Sequence, residues 1–413
     1  MNNDSLNNQI KSLFLQRLTN KYQYMKQIKT ISTIILLVVL TGCGDKQSAN
    51  DLIIVDVSKS YPEKELMLQD FMDVEYIKLE TTDEFLTQGV VMAAGTEIIL
   101  VKNRINDGEL FVFERKTGKG LRKINRRGQG SEEYLSISEI VLDEENNEMY
   151  VIDNGRKKIL VYDLFGNFKR SFKVTDADMH INTYNYNRDN LICYIPYIDL
   201  ENHSNIIHSS HLVISKQDGS ITRNISIPLN KIKSTVLRMG EDYAVPSPAT
   251  LYQVIPNHGN WVLMDTSSDT LYNYVPDDDI KIPMIVRTPS IHAMDPPVVF
   301  LTPSILTDNY YFFRTLKLSV DSAGRFPIFE LMYDKQENAI FTPKVYNDDF
   351  SYKRSVNMTS KPVNHEVAAG LILEAFRLVE DYEKGQLKGR LKEIAATLNN
   401  ESNPVIMLVK YRK

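Results

Sequence analysis

Cysteine and tryptophan are scarce in this 413-residue sequence, which has two cysteines, Cys43 and Cys193, and one tryptophan, Trp261. If Cys43 is modified, as argued below, no intramolecular disulfide can form. The sequence also lacks a basic excess, because its formal net charge is −5, and nucleic acid is therefore not expected as a partner. The apolar segment Ile31–Leu40 is far shorter than the roughly 20 residues that a membrane-spanning helix needs.

Recognisable catalytic and cofactor motifs are missing as well. The sequence has no Gly-x-Ser-x-Gly nucleophile turn, no His-Glu-x-x-His zinc motif and no glycine-rich nucleotide fingerprint. We therefore predict no cofactor, no metal and no catalytic residue. The hydrophobic content of 43% and the charged content of 24% are ordinary for a globular protein.

The N-terminal region has the pattern of a secretory signal. The basic segment Lys26–Lys29 precedes the apolar run Ile31–Leu40, and Leu40-Thr41-Gly42-Cys43 follows. A charged start, a short apolar stretch and small residues at the cut site are typical of such signals. The last four residues resemble a bacterial lipobox, which implies cleavage before Cys43 and its lipidation; the alternative is a buried apolar segment of the fold. The predicted divisions are an over-called start at 1–24, a signal peptide at 25–42, a lipidated cysteine with its tether at 43–70 and one folded domain at 71–413.

The segment Ser138–Val174 reads as four short strands separated by turns. Its strands are Ser138–Asp143, Glu148–Asp153, Ile159–Asp163 and Phe168–Val174. β-Branched and aromatic runs between Asn, Asp and Gly turns predict an up-and-down antiparallel sheet. One such sheet cannot bury both faces and needs neighbours like itself. The turn glycines Gly118, Gly166 and Gly219 recur about 50 residues apart, and this period with four strands a unit indicates a β-propeller.

Copies of this unit extend on both sides of it. Four more can be traced, at 90–124, 191–227, 261–287 and 309–345. A sixth blade is predicted from Val74–Glu80 and Pro404–Tyr411, whose pairing would close the ring and remove two exposed edges. The predicted fold is thus an all-β, six-bladed propeller with four-stranded antiparallel blades, with two C-terminal helices near the last blade. The helical stripes are Val367, Leu371, Ala375 and Leu378, and then Leu387, Leu391, Ile394 and Leu398.

Three segments carry a resemblance to a known family. They are Ile77–Thr82, Arg127–Tyr134 and Asn403–Met407. With the strands Met149–Asp153 and Lys158–Asp163, which are similar to those of NHL-type blades, the chain resembles the six-bladed β-propeller lipoproteins of Bacteroides-type bacteria over nearly all of its mature length. The family usually has Pro-Gly where this chain has Ser131-Glu132. The resemblance implies a secreted, lipid-anchored propeller, and it implies no catalytic residues.

The loop that links the first two blades is the strongest candidate for a ligand site. Its two glycines would allow a tight crossing near the central channel. Arg126 and Arg127 would hold an anionic group, with Tyr134 stacking on a sugar or another ring. The alternative is a structural strut with solvated arginines. The predicted ligand-binding residues are Arg126, Arg127, Gln129, Glu133 and Tyr134.

Several acidic residues and one cysteine have a simpler structural interpretation. Asp143, Asp153 and Asp163 end strands at intervals of ten and are expected to cap turns rather than to form a catalytic carboxylate pair. The run Asp277–Asp279 is expected to be a solvated hairpin tip rather than a Ca²⁺ site. Cys193 lies in an apolar strand and is expected to be a buried small hydrophobe.

Histidine and tryptophan supply the remaining candidates. His203, His208 and His211 form one cluster in the sequence, but His208 and His211 would lie on opposite faces of a strand, which argues against a joint metal site. Trp261 opens a predicted strand. It would serve as a sugar platform or, as the favoured interpretation, as a core or rim aromatic.

Together these patterns predict a lipid-anchored propeller of the outer membrane, on either its periplasmic or its surface-exposed side. The favoured function is non-catalytic binding of a ligand or partner at the mouth of the central channel, because propeller loops converge there. The partner would be a glycan, a peptide or an envelope protein. One alternative is a lyase or hydrolase acting on glycans or other polymers at the same mouth. A further one is a structural envelope component with a plugged channel.

Overall fold

The computed structural model describes residues 52–173, 181–195, 210–229, 231, 233, 237–238, 244–245, 251–322 and 324–412. Cys43, the predicted signal peptide, His203 and His208 lie outside these residues. The described strands form the six blades of a β-propeller, so the predicted fold class is confirmed. Within the same residues no helix is long and apolar enough to cross a membrane.

The chain enters the ring through three strands that join blades formed much later in the sequence. They are β1 (Ile53–Asp56), β2 (Glu63–Met67) and β3 (Met72–Lys78), with the one-turn helix α1 (Leu68–Phe71) before β3. Each of the three strands is the last strand of its sheet, at the edge away from the channel.

Blades 1, 2 and 3 are four-stranded antiparallel sheets whose strand order follows the chain. Blade 1 consists of β4 (Val90–Ala94), β5 (Ile98–Lys102), β6 (Glu109–Glu114) and β7 (Gly120–Asn125). Blade 2 consists of β8 (Glu139–Asp143), β9 (Glu148–Asp153), β10 (Lys158–Asp163) and β11 (Phe168–Phe172). Blade 3 consists of β12 (Ile181–Asn185), β13 (Asn190–Ile195), β14 (Ser210–Ser215) and β15 (Ile221–Ile225). A short pair, β16 (Leu237–Arg238) and β17 (Ala244–Val245), follows.

Blades 4 and 5 repeat this arrangement and add N-terminal strands. Blade 4 consists of β18 (Val254–Asn257), β19 (Asn260–Leu263), β20 (Thr270–Val275) and β21 (Ile280–Thr288). Blade 5 consists of β22 (Val299–Leu306), β23 (Tyr310–Lys317), β24 (Ile328–Asp334) and β25 (Ala339–Asn347). β1 pairs in parallel with β21, β2 pairs in parallel with β25, and the short β26 (Arg354–Ser355) also pairs with β25.

Blade 6 has three strands rather than the four expected. It consists of β27 (Val367–Leu373), β28 (Val405–Tyr411) and β3, in that order. Two helices lie between β27 and β28 in the chain, α2 (Ala375–Glu383) and α3 (Gly389–Ala395). Gly385 separates them with a positive φ of 68°, a backbone conformation that favours glycine.

The first C-terminal helix begins later than its predicted stripe. Val367 and Leu371 lie in β27, so their assignment to a helix was wrong. Spacing alone cannot separate a helix from a strand in a short apolar run. Here packing decides, because Gly370 lies against blade 1 so closely that an added Cβ would be 2.8 Å from Val91.

The first strands of blades 3, 4 and 5 were missed in the predicted copies. They hold features that weaken a strand pattern, such as Pro256 in β18 and Pro303 in β22. A first strand lies at the end of its sheet, and the first strands of neighbouring blades contact one another around the channel. Proline is tolerated at such an edge, because the ladder on that side needs no N–H donor.

Each blade buries both of its faces, because successive side chains of a strand point to opposite sides. In β9, Met149 and Val151 pack against blade 1, whereas Tyr150 and Ile152 pack against blade 3. Six apolar clusters of this kind fill the spaces between neighbouring blades. Strands buried on both faces read as continuous apolar runs, which is why these middle strands were visible in the sequence.

Closure of the ring combines strand pairing with a buried ion pair. β3 pairs antiparallel with β28 along its whole length. Beside this pair, Arg115 donates to both carboxylate oxygens of Glu75, at 3.1 and 2.9 Å, and to the carbonyl oxygen of Gly95. Burial opposes ionisation of Glu75, but hydrogen bonds from Arg115 and Lys410 outweigh it, so its pKa lies below the ordinary value. Blade 1 is thereby joined to blade 6 by charge as well as by packing.

Removing the Arg115 guanidinium should loosen the closed ring. Arg115→Met leaves Glu75 partly buried with Lys410 as its remaining cation, and we expect the free energy of unfolding to fall by about 3 kcal/mol. Urea unfolding followed by circular dichroism measures this loss. The control is Arg390→Met, which removes an exposed pair with Glu393 and should change stability by less than about 0.5 kcal/mol. Equal losses in the two variants would contradict the closing role of Arg115.

Candidate functional site

The predicted ligand loop lies between β7 of blade 1 and β8 of blade 2. Tyr134 is 1% exposed, its hydroxyl donates to the carbonyl oxygen of Gly108 at 2.7 Å, and the Arg126 backbone N–H donates to the same hydroxyl at 3.1 Å. The ring packs edge-on against Tyr162. Tyr134 therefore belongs to the core between the blades and has no free face for stacking in this arrangement.

The charged residues of the loop are more exposed than its tyrosine. Arg126, Arg127 and Gln129 are exposed, and Arg126 Nε donates to the carbonyl oxygen of Gly166 at 2.8 Å. Glu133 accepts the backbone N–H of Gly130 at 2.7 Å. Arg126 and Glu133 line an open hollow of about 470 Å³, which shares no lining residue with the two channel cavities described below. Ligand binding by this loop stays a prediction.

The strand-end aspartates stabilise the blades. Asp143 forms a buried ion pair with Lys216 at 2.6 Å, Asp153 accepts the Leu135 backbone N–H at 2.6 Å, and Asp163 accepts two backbone N–H groups in the turn that follows it. The run Asp277–Asp279 is exposed. Over the described ranges, no group of three or more His, Cys, Asp or Glu side chains could hold a metal ion.

Cys193 and His211 are buried within blade 3. Burial raises the pKa of the Cys193 thiol to about 12, so the side chain is a neutral hydrophobe at physiological pH. His211 Nε2 lies 3.0 Å from the carbonyl oxygen of Gln253 and 3.2 Å from that of Met264. Burial also lowers the pKa of His211, so the ring is a neutral strut between blades 3 and 4.

A segment of blade 6, residues 361–366, crosses the central channel before β27. Lys361 donates to Glu139 of blade 2 at 2.9 Å, and Asn364 donates to the carbonyl oxygen of Ala94 in blade 1 at 2.7 Å. The Tyr184 hydroxyl of blade 3 donates to the carbonyl oxygen of Pro362 at 2.8 Å. Two cavities of about 260 and 230 Å³ lie against this segment and share part of their lining.

The larger of the two, here called the mouth cavity, is built from five blades. It is lined by 93–96 of blade 1, by 140–142 and Glu144 of blade 2, by 183–185 of blade 3, by Trp261 of blade 4 and by 363–366 of the crossing segment. The ends of the first strands and the turns after them therefore form one concave surface. Glu144 holds two of these parts together, because its carboxylate accepts the backbone N–H groups of Thr96, Glu97 and Ile98.

Two buried polar atoms without a hydrogen-bond partner among the described residues belong to residues of blade 3 that line this cavity. They are Oγ1 of Thr183, a residue 4% exposed, and Oδ1 of Asn185. The amide nitrogen of Asn185 is used, since it donates to the carbonyl oxygen of Leu142 at 2.6 Å. Each of these atoms has less than 1 Å² of accessible surface, so neither can contact a ligand in the cavity unless its side chain moves.

The charges around the mouth cavity are acidic and already paired. Glu144 accepts three backbone N–H groups, and Glu366 lies 3.3 Å from the guanidinium of Arg115. Among the described residues that line the cavity there is no lysine or arginine. The cavity consequently has no cation of its own to hold a phosphate or carboxylate group.

Trp261 and His365 form the aromatic side of the mouth cavity. Trp261 is 1% exposed, and the His365 ring meets it edge-on with 4.7 Å between the ring centroids. Desolvation, followed by the nearby His258, lowers the pKa of His365 to about 4. The imidazole is therefore neutral at physiological pH and offers one N–H donor and one acceptor. Of the two roles considered for Trp261, the core aromatic is the one that the geometry supports.

Little in the sequence indicates this cavity. The residues that meet there are Thr183, Asn185, Trp261 and His365, which come from widely separated parts of the chain. Of these four residues, only Trp261 was considered as a candidate site residue, because the predicted copy of blade 4 included its strand. β12, which supplies Thr183 and Asn185, was absent from the predicted copy of blade 3. A polar first strand facing the channel is the signal that would have identified it.

Residues 44–368 match the family DUF5128, which is described as a 6-bladed beta-propeller. The chain belongs to this family. The predicted membership of a six-bladed propeller family is therefore confirmed.

Solved structures resemble this DUF5128 chain in fold. A Bacteroides fragilis protein described as exported has a TM-score of 0.52 at 16% identity, covering 88% of this chain and 100% of its own. A DUF4221 family member from Bacteroides vulgatus has a TM-score of 0.40 at 9% identity, covering 84% and 99%. The periplasmic gluconolactonase of Pseudomonas aeruginosa has a TM-score of 0.31 at 12% identity, covering 68% and 85%. No curated protein sequence matches the chain.

The lowered pKa of His365 can be tested through its neighbour. Trp261 is the single tryptophan and its ring contacts that of His365, so its emission reports on the surroundings of the two rings. We expect the emission to titrate with a midpoint near pH 4, because the folded protein keeps His365 neutral below its ordinary pKa. The unfolded chain binds that proton below about pH 6.5, so stability should also fall from pH 6.5 towards pH 4.

His365→Gln is the control for this titration, because it removes the ionisable ring and keeps a polar side chain. Its emission should be flat over the same range, and its stability should depend less on pH. A midpoint near 6.5 in the unsubstituted protein would contradict the desolvated environment assigned to His365.

Proposed function

We propose that this protein is a lipid-anchored propeller of the cell envelope that binds a small ligand in the mouth cavity without converting it. The observation that supports this proposal most is the mouth cavity itself, a concave space of about 260 Å³ whose lining comes from five blades. Ligand sites are typically concave, largely preformed spaces of this kind, with a few polar groups in an apolar lining.

The chemistry of the cavity favours binding over catalysis. A general acid or base needs a carboxylate that is free to exchange protons with a substrate. Glu144 accepts three backbone N–H groups, and Glu366 lies beside Arg115. Both carboxylates thus have structural partners, which supports a site that holds its ligand and leaves it unchanged.

The envelope location is supported by the N-terminal sequence. The lipobox-like Leu40-Thr41-Gly42-Cys43 follows a basic and an apolar segment, as in secretory signals. The first described strand begins at Ile53, so only nine residues separate it from Cys43, and a fully extended chain of that length spans at most about 30 Å. Lipid on Cys43 would hold the propeller close to the outer membrane. The similar Bacteroides fragilis protein is described as exported.

Lipidation is tested by expressing the full chain in a Bacteroides-type bacterium and partitioning the extract between a detergent phase and an aqueous phase. The unsubstituted protein should enter the detergent phase, because its lipid adds about 0.8 kcal/mol of membrane affinity per buried CH₂ group. Cys43→Ser should move it to the aqueous phase without changing its circular dichroism. Cys193→Ser, which changes the buried cysteine instead, should leave partition unaltered. Detergent-phase Cys43→Ser protein would contradict the anchor.

Ligand binding is tested by thermal shift and Trp261 emission together. A chain that begins at Gly44 keeps every described strand. The panel holds neutral and charged glycans, peptidoglycan fragments, peptides, and Ca²⁺ against a chelator. A ligand bound to the native state at 100 times its Kd should add about 2.7 kcal/mol of stability, and it should change the emission because Trp261 lines the cavity.

Two variants then locate the site. Val363→Phe replaces a small side chain in the lining of the cavity with an aromatic ring. It should abolish the ligand-dependent rise in the unfolding temperature, because the ring occupies space that the ligand needs. Arg127→Ala changes the exposed loop between blades 1 and 2 and should leave the shift intact. Loss of binding in Arg127→Ala with retention in Val363→Phe would place the ligand at the loop instead. If no member of the panel changes the unfolding temperature or the Trp261 emission, small-ligand binding is contradicted.

A further inference from the structure

We infer that the outer edge of blade 4, at β1, rests on the lipid bilayer and that Leu52 and Ile54 enter the membrane interface. This inference rests on the lipid anchor proposed above and says which side of the propeller meets the membrane. Three observations carry it: two exposed apolar side chains, a contrast with the edge strand β2, and the short stretch of chain between β1 and Cys43.

Alternate residues at the start of the described chain point out of the fold. Ile53 and Val55 are buried in the core between blades 4 and 5, whereas Leu52 and Ile54 are 45% and 63% exposed. β1 is the last strand of its sheet, so no further strand among the described residues covers these two side chains. An open hollow of about 450 Å³ beside β1 extends the apolar surface to Ile340 of blade 5.

The edge strand of blade 5 carries charges where β1 carries apolar residues. Like β1, β2 pairs in parallel with the fourth strand of a blade and is the last strand of its sheet. Its first two exposed positions hold Glu63 and Glu65, and Glu65 pairs with Lys353 at 2.6 Å. Charged side chains are a common protection of exposed edge strands against unwanted contacts. β1 lacks this protection, which favours a surface that covers it.

The bilayer that would hold the lipid of Cys43 is the surface within reach of β1. Nine residues lie between Cys43 and Ile53, and a fully extended chain of that length spans at most about 30 Å. This tether gives β1 a high effective concentration at the membrane. Two apolar side chains are then enough for contact, although they are too few to recruit the protein from solution. A stable protein interface buries more than about 1,000 Å², of which two side chains supply only a small part.

Contact at β1 leaves the candidate ligand site open. β1 lies at the edge of its sheet away from the channel, whereas the mouth cavity is lined by residues next to the channel and by the crossing segment. The bilayer would therefore meet the outer rim of the propeller, and the mouth cavity would stay clear of lipid.

The test attaches the protein to vesicles chemically. A chain that begins at Cys43 keeps every described strand, and its Cys43 thiol is coupled to a maleimide lipid in phosphatidylcholine vesicles. Cys193 is 0% exposed and does not compete for the maleimide. Ile54→Trp places a fluorescent side chain at the proposed contact. Phosphatidylcholine with brominated acyl chains quenches a tryptophan that enters the interface.

Glu65→Trp is the matched control, because it places the same side chain at an exposed position of the edge strand β2. Trp261 is 1% exposed and gives a background emission that the unsubstituted chain measures. We expect brominated lipid to lower the added emission of Ile54→Trp at least about twofold, because interfacial side chains lie roughly 5–10 Å deep. The added emission of Glu65→Trp should not change, and neither should that of an uncoupled Ile54→Trp chain that begins at Gly44.

A second measurement needs no substitution. The unsubstituted chain is coupled to vesicles that contain a lipid with a photoactivatable acyl chain, and the cross-linked residues are identified by mass spectrometry after irradiation. Among the described residues, we expect the cross-links to lie mainly at 52–56 and at Ile340.

The other outcomes overturn the inference. Equal quenching of the two introduced tryptophans, or cross-links mainly on another blade, would show that a different surface meets the bilayer. Loss of both signals in the coupled protein would show that β1 stays clear of lipid, and the exposed strip would then belong to a protein interface. The coupling replaces the natural anchor, so none of these results depends on lipidation of Cys43, which phase partition decides. Failure of the anchor and failure of the contact are therefore distinguishable.

Discussion

The pairing of β3 with β28 is the interaction on which the rest of the structure depends. It joins Met72–Lys78 to Val405–Tyr411, strands from nearly opposite ends of the described chain. Without it, blade 6 would be the single antiparallel pair of β27 and β28, and an isolated two-stranded sheet is only marginally stable. Blades 1 and 5 would each expose an apolar face. Arg115 and Glu75 add a charged contact at the same seam.

Closure also determines what lies in the channel. The segment 361–366 leads directly into β27, and β27 is fixed by β28 on one side and by the first strand of blade 1 on the other. The segment then meets blades 1, 2 and 3 through Asn364, Lys361 and Pro362. The mouth cavity is therefore a product of the closed ring, because no single blade contains enough of its lining to form it.

The sequence predicted the parts of the fold that repeat and missed the parts that do not. Strands buried on both faces, such as β9, read as continuous apolar runs between turn residues, and they revealed the period of the blades. The first strands of blades 3, 4 and 5 were missed, because one is mostly polar and the other two contain proline. β27 was mistaken for a helix, since apolar spacing in a short segment fits both structures. The predicted candidate loop was recognised by its glycines and arginines, which signal a turn but do not show which surface it lines.

The mouth cavity could not be predicted because its residues become neighbours only in three dimensions. Thr183, Trp261 and His365 lie in different blades, and none belongs to a motif with fixed spacing. β12, which brings Thr183 to the cavity, has few apolar residues, and His365 precedes β27 in a segment that no predicted strand included. What joins these residues is the closed ring, and a pattern along the sequence does not contain that information.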